Sequence, residues 1–287
     1  MSMKITVAVV AIAAAAFTAP QPEIPAALQA MVDTERAFAQ ACTQKGIRDS
    51  FLDYFAVDSI AFNPAPISAT DRLRQRPARP FSEFELRWEP RTGDVAASGE
   101  LGWLTGPSTF TDHTVPDSRP QPGNYLSVWR RQPDGRWRVF IDQGSQPPQE
   151  VSFAPGFTRF AFPSRYTGRD SKESASASLA AADRDLNAAL AKGAGEAYAA
   201  FTTPASRLHR SGFMPPIGRA AIESWMKEHA ASMKARTGAA ESALSGDLGY
   251  SYGTFEVPPA KPGAYVRVWQ RDASGKWFVV ADVTQGG

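Results

Sequence analysis

Apolar side chains recur with helical spacing at two places in the chain. Residues 25–55 carry them three and four positions apart, at Leu28, Met31, Val32, Phe38 and Cys42, with Glu35 in the same series. This spacing predicts a helix, and Gly46 interrupts it before a second helix that ends near Phe55. Residues 179–201 repeat the pattern, with a break at residues 193–195. Each series therefore predicts a pair of helices.

Segments typical of strands follow each pair of helices. Residues 125–131 and 137–142 are rich in aromatic and β-branched side chains, and Pro133, Asp134 and Gly135 separate them as a hairpin turn would. Residues 265–271 and 277–282 have the same character, with a turn at residues 273–275. Helices followed by antiparallel strands predict an α+β fold in each half.

The two halves also share sequence. Residues 99–106 (GELGWLTG) match 246–253 (GDLGYSYG), residues 123–131 (GNYLSVWRR) match 263–271 (GAYVRVWQR), and residues 134–142 (DGRWRVFID) match 274–282 (SGKWFVVAD). Order and spacing are kept, which indicates two copies of one domain. We predict domains at 25–146 and 178–287, each cone-shaped, with N-terminal helices packed on a curved antiparallel sheet.

The segment between the copies, residues 147–177, has the Pro, Ser and Gly content of a linker. It nevertheless carries five aromatic residues, Phe153, Phe157, Phe160, Phe162 and Tyr166. A free linker rarely contains so many. We therefore expect an ordered segment packed on the domains, with only residues 169–177 flexible.

Composition and the N-terminus limit the functional classes. The net charge of +2 is too small to indicate binding to nucleic acid. Residues 1–19 resemble a signal peptide, because Lys4 precedes an apolar run over 5–16 that is shorter than the ~20 residues a membrane span needs. We expect export to a bacterial periplasm or secretion, with no membrane span in the mature form. The three histidines show no metal-ligand spacing, so we expect no metal and no cofactor.

Two motifs carry a resemblance to a known family. The stretch FAVDSIAFNP at 55–64 follows the second helix, and DGRWRV lies in the last hairpin of the first copy. In this order they resemble the nuclear transport factor 2-like superfamily, which has a cystatin-like fold, and within it the SnoaL-like domains, here in tandem. The resemblance implies a fold used by isomerases, cyclases, dehydratases and ligand-binding proteins. Single domains of this kind often pair through the outer face of the sheet, so we expect a monomer whose halves form an internal pseudo-dimer.

Ketosteroid isomerisation, the best-understood chemistry in that superfamily, needs a carboxylate base and a protonated aspartic acid. The resemblance places the base at Asn63 in the first copy and His209 in the second, and the protonated acid at Ser127 and Arg267. An amide nitrogen is not basic in water, so Asn63 cannot serve as the base. This reaction is not expected here.

Strand alternation indicates which side chains face each cone. In the first copy we expect Asn63, Tyr125, Ser127, Phe140 and Asp142 to be ligand-pocket residues. In the second copy we expect Tyr265 and Val280 there, together with His209, Arg267 and Asp282. The last three could perform acid–base chemistry or bind an anion. Alternatively, Arg267 and Asp282 form an ion pair that closes the cone.

Two functions remain open at this point. The first is an exported protein that binds a small hydrophobic or carboxylate ligand, or a partner protein. The second is a small-molecule isomerase, cyclase or dehydratase in which His209, Asp282 and Arg267 of the second domain are catalytic.

Overall fold

The computed structural model describes residues 24–230, 232–257 and 261–286. The predicted signal peptide at 1–19 lies outside these ranges. No helix within them is both long enough and apolar enough to cross a bilayer.

The first domain begins with a long helix and continues mainly as strands. Its elements are α1 (Ala26–Tyr54), β1 (Phe55–Asn63), β2 (Ala65–Ser68), α2 (Ala69–Arg74), β3 (Phe84–Trp88), β4 (Thr92–Val95), β5 (Leu101–Asp112), β6 (Gln121–Arg131) and β7 (Trp137–Ser145). Helix α1 bends at Gly46, which has φ 74° and ψ 175°. A Cβ at that position would lie 2.2 Å from the backbone oxygen of Arg79. Both the backbone conformation and the close approach require glycine, and they produce the predicted break.

The second domain repeats this order after a short strand, β8 (Thr158–Arg159), in the connecting segment. Its elements are α3 (Lys172–Leu190), α4 (Ala194–Phe201), β9 (Thr202–His209), α5 (Arg219–His229), β10 (Lys234–Ser242), β11 (Leu248–Glu256), β12 (Gly263–Arg271) and β13 (Trp277–Gln285). Helix α3 begins before the predicted domain boundary at residue 178. The Ser171 hydroxyl accepts a hydrogen bond from the Ser174 amide at 3.2 Å and caps the helix there.

Each domain has one sheet, with strand order β2-β1-β7-β6-β5-β4-β8 in the first and β10-β11-β12-β13-β9 in the second. Strand β3 also pairs with β5, beyond the end of β4. Most neighbouring strands are antiparallel, but β1 pairs with β7, β4 with β8, and β9 with β13 in parallel. The α+β prediction is confirmed, while the sheets are mixed rather than antiparallel. Parallel strands need a long connection between them. Here the remaining strands and helices of each domain lie between the two members of the pair in sequence, β1 and β7 in the first domain and β9 and β13 in the second.

The two faces of each sheet have different neighbours. One face packs on the helices of its own domain, forming one core around Met31, Phe38 and Trp129 and another around Leu186 and Trp269. The other faces pack against each other in a third core that both domains share, with Trp103 and Leu126 from the first and Val266 and Val283 from the second. The second domain therefore covers the outer face of the first.

Contacts between the domains are reciprocal. Ser98 and Ser245, which occupy the same place in the repeat, join their hydroxyls at 2.8 Å, and each amide donates to the other hydroxyl. The Leu244 amide donates to Glu100, and the equivalent Ala97 amide donates to Asp247. When residue i contacts j and j contacts i, the two units are related by a two-fold axis. The loops around Ser98 and Ser245 lie on that pseudo-two-fold axis.

The connecting segment crosses both domains. Thr158 and Arg159 extend the first sheet, and the Tyr166 amide donates to the Arg271 carbonyl of the second domain at 2.9 Å. None of the five aromatic residues in the segment is exposed. Arg165 forms ion pairs with Asp94 of the first domain and Asp247 of the second.

Candidate functional site

The first domain contains a cavity of about 120 Å³ between α1 and the sheet. Its lining is Glu35, Phe38, Phe51, Leu86, Trp88, Ser108, Tyr125, Ser127, Val139, Asp142 and Gly144. Aromatic and aliphatic side chains form most of the wall, and the two carboxyl groups of Glu35 and Asp142 are its acidic members. Such a combination of apolar wall and few polar groups is typical of small-molecule sites.

Glu35 projects into the cavity from the buried side of α1, and only 2% of its surface is exposed. The indole nitrogens of Trp88 and Trp129 donate to its two carboxylate oxygens at 2.6 and 3.0 Å, and the Ser127 hydroxyl donates at 3.1 Å. These donors favour the ionised form. Burial and the nearby Asp142 outweigh them and raise the pKa of Glu35 to about 8. Glu35 is therefore mostly protonated at neutral pH.

Asp142 enters the cavity from β7, directly opposite Ser127 on β6. It is half-buried, and desolvation by the surrounding protein raises the pKa of its carboxyl group to about 7. Two carboxyl groups that share a poorly hydrated site titrate as a coupled pair. At neutral pH the pair can both donate and accept a proton.

Tyr125 completes the polar part of the cavity. The residue is 7% exposed, and its hydroxyl has no hydrogen-bond partner among the described residues. The corresponding Tyr265 of the second domain donates to Asp183 at 2.6 Å. A buried hydroxyl without a partner is costly, so a ligand that bonds to Tyr125 would remove that cost.

The centre of the second domain has acidic residues at the same two positions, but an arginine side chain occupies the space between them. Asp183 on α3 corresponds to Glu35, and Asp282 on β13 corresponds to Asp142. Arg267 stands where the first domain has Ser127, and its guanidinium donates to Asp282 at 3.0 Å and Asp183 at 2.8 Å. All three side chains are fully buried. The arginine thus bridges the two aspartates and fills the centre of this cone.

Asp282 has two further donors. Tyr198 donates to it at 2.8 Å, and Arg210 forms an ion pair with it at 2.6 Å. Burial would raise the pKa of Asp282, but Arg210 and Arg267 outweigh burial and lower it.

The first domain lacks all three of these donors. The strand registers place Asn63 and Ser127 at the positions of Arg210 and Arg267. Phe51, four residues before Phe55, corresponds to Tyr198, four residues before Thr202, at the ends of the preceding helices. The pKa of Asp142 is raised and that of Asp282 is lowered, although the two residues occupy equivalent positions, because only Asp282 has these three donors.

The second-domain residues predicted to be catalytic do not converge on a cavity. Arg267 and Asp282 form the closing ion pair, and His209 lies on the opposite face of its sheet. Its Nε2 is 3.4 Å from the Thr105 hydroxyl of the first domain. Burial, Arg207 and Arg210 lower the pKa of His209 to about 3, so its imidazole is neutral at pH 7.

The predicted equivalence of Asn63 and His209 is off by one residue. Phe55 pairs with Val139 and Thr202 with Val279, so the register aligns Phe62 with His209 and Asn63 with Arg210. A shift of one residue along a strand moves a side chain to the other face. Asn63 is exposed and does not line the cavity.

Phe140 and Val280 are likewise not pocket residues. A β-bulge interrupts the register between the pairs Val128–Ile141 and Trp129–Val139, and the same bulge occurs in β13. The extra residue breaks the alternation, so Phe140 and Val280 join the core between the domains. Tyr125, Ser127 and Asp142 do line the cavity, and Tyr265 faces the filled cone.

Sequence reasoning missed Glu35 as a site residue. The signal was present, because Glu35 is an acidic residue within the apolar series of α1. A buried carboxylate on the inner side of a helix needs donors or a functional reason. In the described ranges, no group of three or more His, Cys, Asp or Glu side chains is arranged to hold a metal ion.

The solved structures similar to this protein each match less than half of the chain. A ketosteroid isomerase-like protein from Erwinia carotovora atroseptica is 15% identical, covering 41% of this chain and 95% of its own, with a TM-score of 0.32. An NTF-2-like protein of unknown function from Shewanella oneidensis is 13% identical, covering 38% and 96%, with a TM-score of 0.32. A protein of unknown function with a cystatin-like fold from Nostoc punctiforme is 14% identical, covering 45% and 97%, with a TM-score of 0.33. No family model matches the chain, and no curated protein matches it significantly.

Proposed function

We propose that the first domain is a small-molecule binding domain and that the second domain is its structural counterpart. One observation carries the proposal: equivalent pairs of acidic residues are bridged by Arg267 in the second domain and face a cavity in the first. The second cone has no room for a ligand where the arginine lies. The first cone, with Ser127 at that position, retains the space.

The dimensions of the cavity favour a ligand about the size of a benzene ring. An engineered apolar cavity of about 150 Å³ binds benzene, which sets the scale for the 120 Å³ found here. Phe38 lies between Phe51 and Trp88, with ring centroids 4.8 Å away from each. These rings would contact the apolar part of the ligand, while Tyr125, Glu35 and Asp142 would bond to its polar part.

A second candidate function is acid–base catalysis on the bound ligand. It is favoured by the pKa values of about 8 for Glu35 and about 7 for Asp142. Groups that titrate near the working pH can donate a proton in one step and accept it in another. This candidate places the chemistry in the first domain, since Asp282 is ionised and paired and His209 faces away.

Fluorobenzene is a suitable probe of the cavity, because its binding can be followed by ¹⁹F NMR without knowing the natural ligand. We expect saturable binding to the protein and its loss in Ser127→Arg, which introduces the arginine of the second domain. Ser152→Arg is the matched control, since Ser152 is exposed on the connecting segment. Binding that survives Ser127→Arg in a folded protein would refute the proposed site.

A further inference from the structure

We propose that the cavity of the first domain selects a small organic cation, whose guanidinium or ammonium group lies between Glu35 and Asp142. This inference deepens the proposed function and rests on it. The inference follows from the second domain, where the guanidinium group of Arg267 lies between the two equivalent aspartates.

Arg267 occupies its cone as a bound guanidinium would. Its Nε donates to Asp282 at 3.0 Å, and one terminal nitrogen donates to Asp183 at 2.8 Å and to Asn187 at 2.7 Å. Its central carbon lies 4.0 Å from the centre of the Tyr265 ring. Two carboxylates and an aromatic face are the groups expected around a desolvated organic cation.

The first domain keeps these recognition groups and lacks the tethered cation. Asp142 faces Ser127 across the β6–β7 ladder just as Asp282 faces Arg267 across β12–β13. Glu35 takes the place of Asp183, and Tyr125 takes the place of Tyr265. Because the side chain of Ser127 is short, it does not reach across the cone as Arg267 does, and Ser127 instead lines the cavity.

The charges around the cavity favour the same ligand class. None of its lining residues, all of them in the described ranges, is a lysine, arginine or histidine. The nearby Arg36 is already paired with Glu89 at 3.0 Å. A carboxylate ligand would face two acidic groups without a compensating cation, which disfavours the acidic ligands considered from sequence alone. A cation placed between them would be attracted by both groups at once.

The experiment compares N-ethylguanidinium with N-ethylurea, a neutral molecule of nearly the same shape. Isothermal titration calorimetry at pH 9, where both carboxyl groups are mostly ionised, measures the two affinities for the full protein. We expect the cation to bind at least about ten-fold more tightly than the urea, as a desolvated charge pair implies. Asp142→Asn should remove this preference, whereas Asp117→Asn, at an exposed loop position, should keep it.

The outcomes separate this inference from the proposed function. Equal affinity for the two probes, or binding of fluorobenzene without binding of N-ethylguanidinium, would overturn the cation while leaving the cavity as a binding site. Loss of all binding in Ser127→Arg, with a native circular dichroism spectrum, would locate the cation in the cavity. Cation binding that persists in both Asp142→Asn and Ser127→Arg would overturn the inference, since the cation would then bind elsewhere.

Discussion

At the scale of single residues, the two domains differ most at the centre of the cone. Ser127 and Arg267 occupy equivalent positions, and this difference determines whether the flanking carboxyl groups are bridged by a cation. The sequence placed Tyr125, Ser127 and Asp142 at the pocket because they lie in the repeated strands. The sequence repeats do not identify Glu35 as a pocket residue. The helical spacing of α1 shows that Glu35 is buried with its apolar neighbours, but it does not show whether Glu35 faces a cavity or a packed core.

The raised pKa values make stability depend on pH. Asp142 has an ordinary pKa of 3.8 and Glu35 one of 4.5, and folding raises them to about 7 and about 8. Between these values the folded state binds more protons than the unfolded state, so the free energy of unfolding falls as pH rises. The contribution of this pair to the free energy of unfolding is greatest below about pH 4 and is lost as the pH rises through about 7 and 8.

Asp142→Asn tests this dependence. The variant removes one titrating group and also the Asp142 charge that adds to the effect of burial on the pKa of Glu35, so urea unfolding from pH 4 to 9 should show a shallower decline than the wild type. Asp117→Asn should follow the wild-type curve. Parallel curves for Asp142→Asn and the wild type would mean that Asp142 titrates normally.

At the scale of elements, the helix pairs, the last two strands of each domain and the break at Gly46 were predictable from local patterns. Two features were not. The bulges at Phe140 and Val280 leave no mark in a hydrophobic pattern, because residues on both faces of a buried sheet are apolar. The register of β1 and β9 depends on pairing with distant strands, so the local sequence predicts Asn63 as the equivalent of His209, whereas the strand pairing makes it the equivalent of Arg210.

Phe140→Ala distinguishes the two faces of β7. Phe140 packs in the core between the domains, with its ring 5.5 Å from that of Tyr250 and against the guanidinium of Arg130. Truncation should lower the free energy of unfolding by about 3–5 kcal/mol, as for other buried phenylalanines. Fluorobenzene affinity, measured by ¹⁹F NMR, should be unchanged, because the cavity lies on the other face. A large loss of affinity in the folded variant would place Phe140 in the pocket after all.

At the scale of the whole molecule, the second domain acts as the internal partner of the first. The reciprocal contacts of Ser98 with Ser245 and the shared core are those of a two-fold interface within one chain. A fused partner can diverge at its own centre without losing the interface. Arg267 fills the centre of the second cone, while the first domain keeps its cavity.

The connecting segment adds a buried ionic contact to this interface. Arg165 pairs with Asp94 and Asp247, both fully buried, one from each domain. Arg165→Met leaves Asp247 without this cation and leaves Asp94 with Arg159, 3.0 Å away, as its remaining partner. Removal of one partner from a buried ion pair costs about 3–5 kcal/mol. Chemical denaturation should show that loss, while Arg169→Met, at an exposed position of the same segment, should be near neutral. A change below about 0.5 kcal/mol for Arg165→Met would show that the contact does not hold the domains together.

The central claim is that two equivalent pairs of acidic residues differ in their surroundings, since Arg267 bridges one pair and the other pair faces a cavity. Carboxyl ¹³C NMR resolves individual acidic side chains, so a pH titration compares them within one protein. The account predicts that Glu35 titrates near pH 8 and Asp142 near pH 7, while Asp282 titrates below its ordinary value of 3.8. Titration of Glu35 and Asp142 below pH 5, like exposed carboxylates, would contradict it.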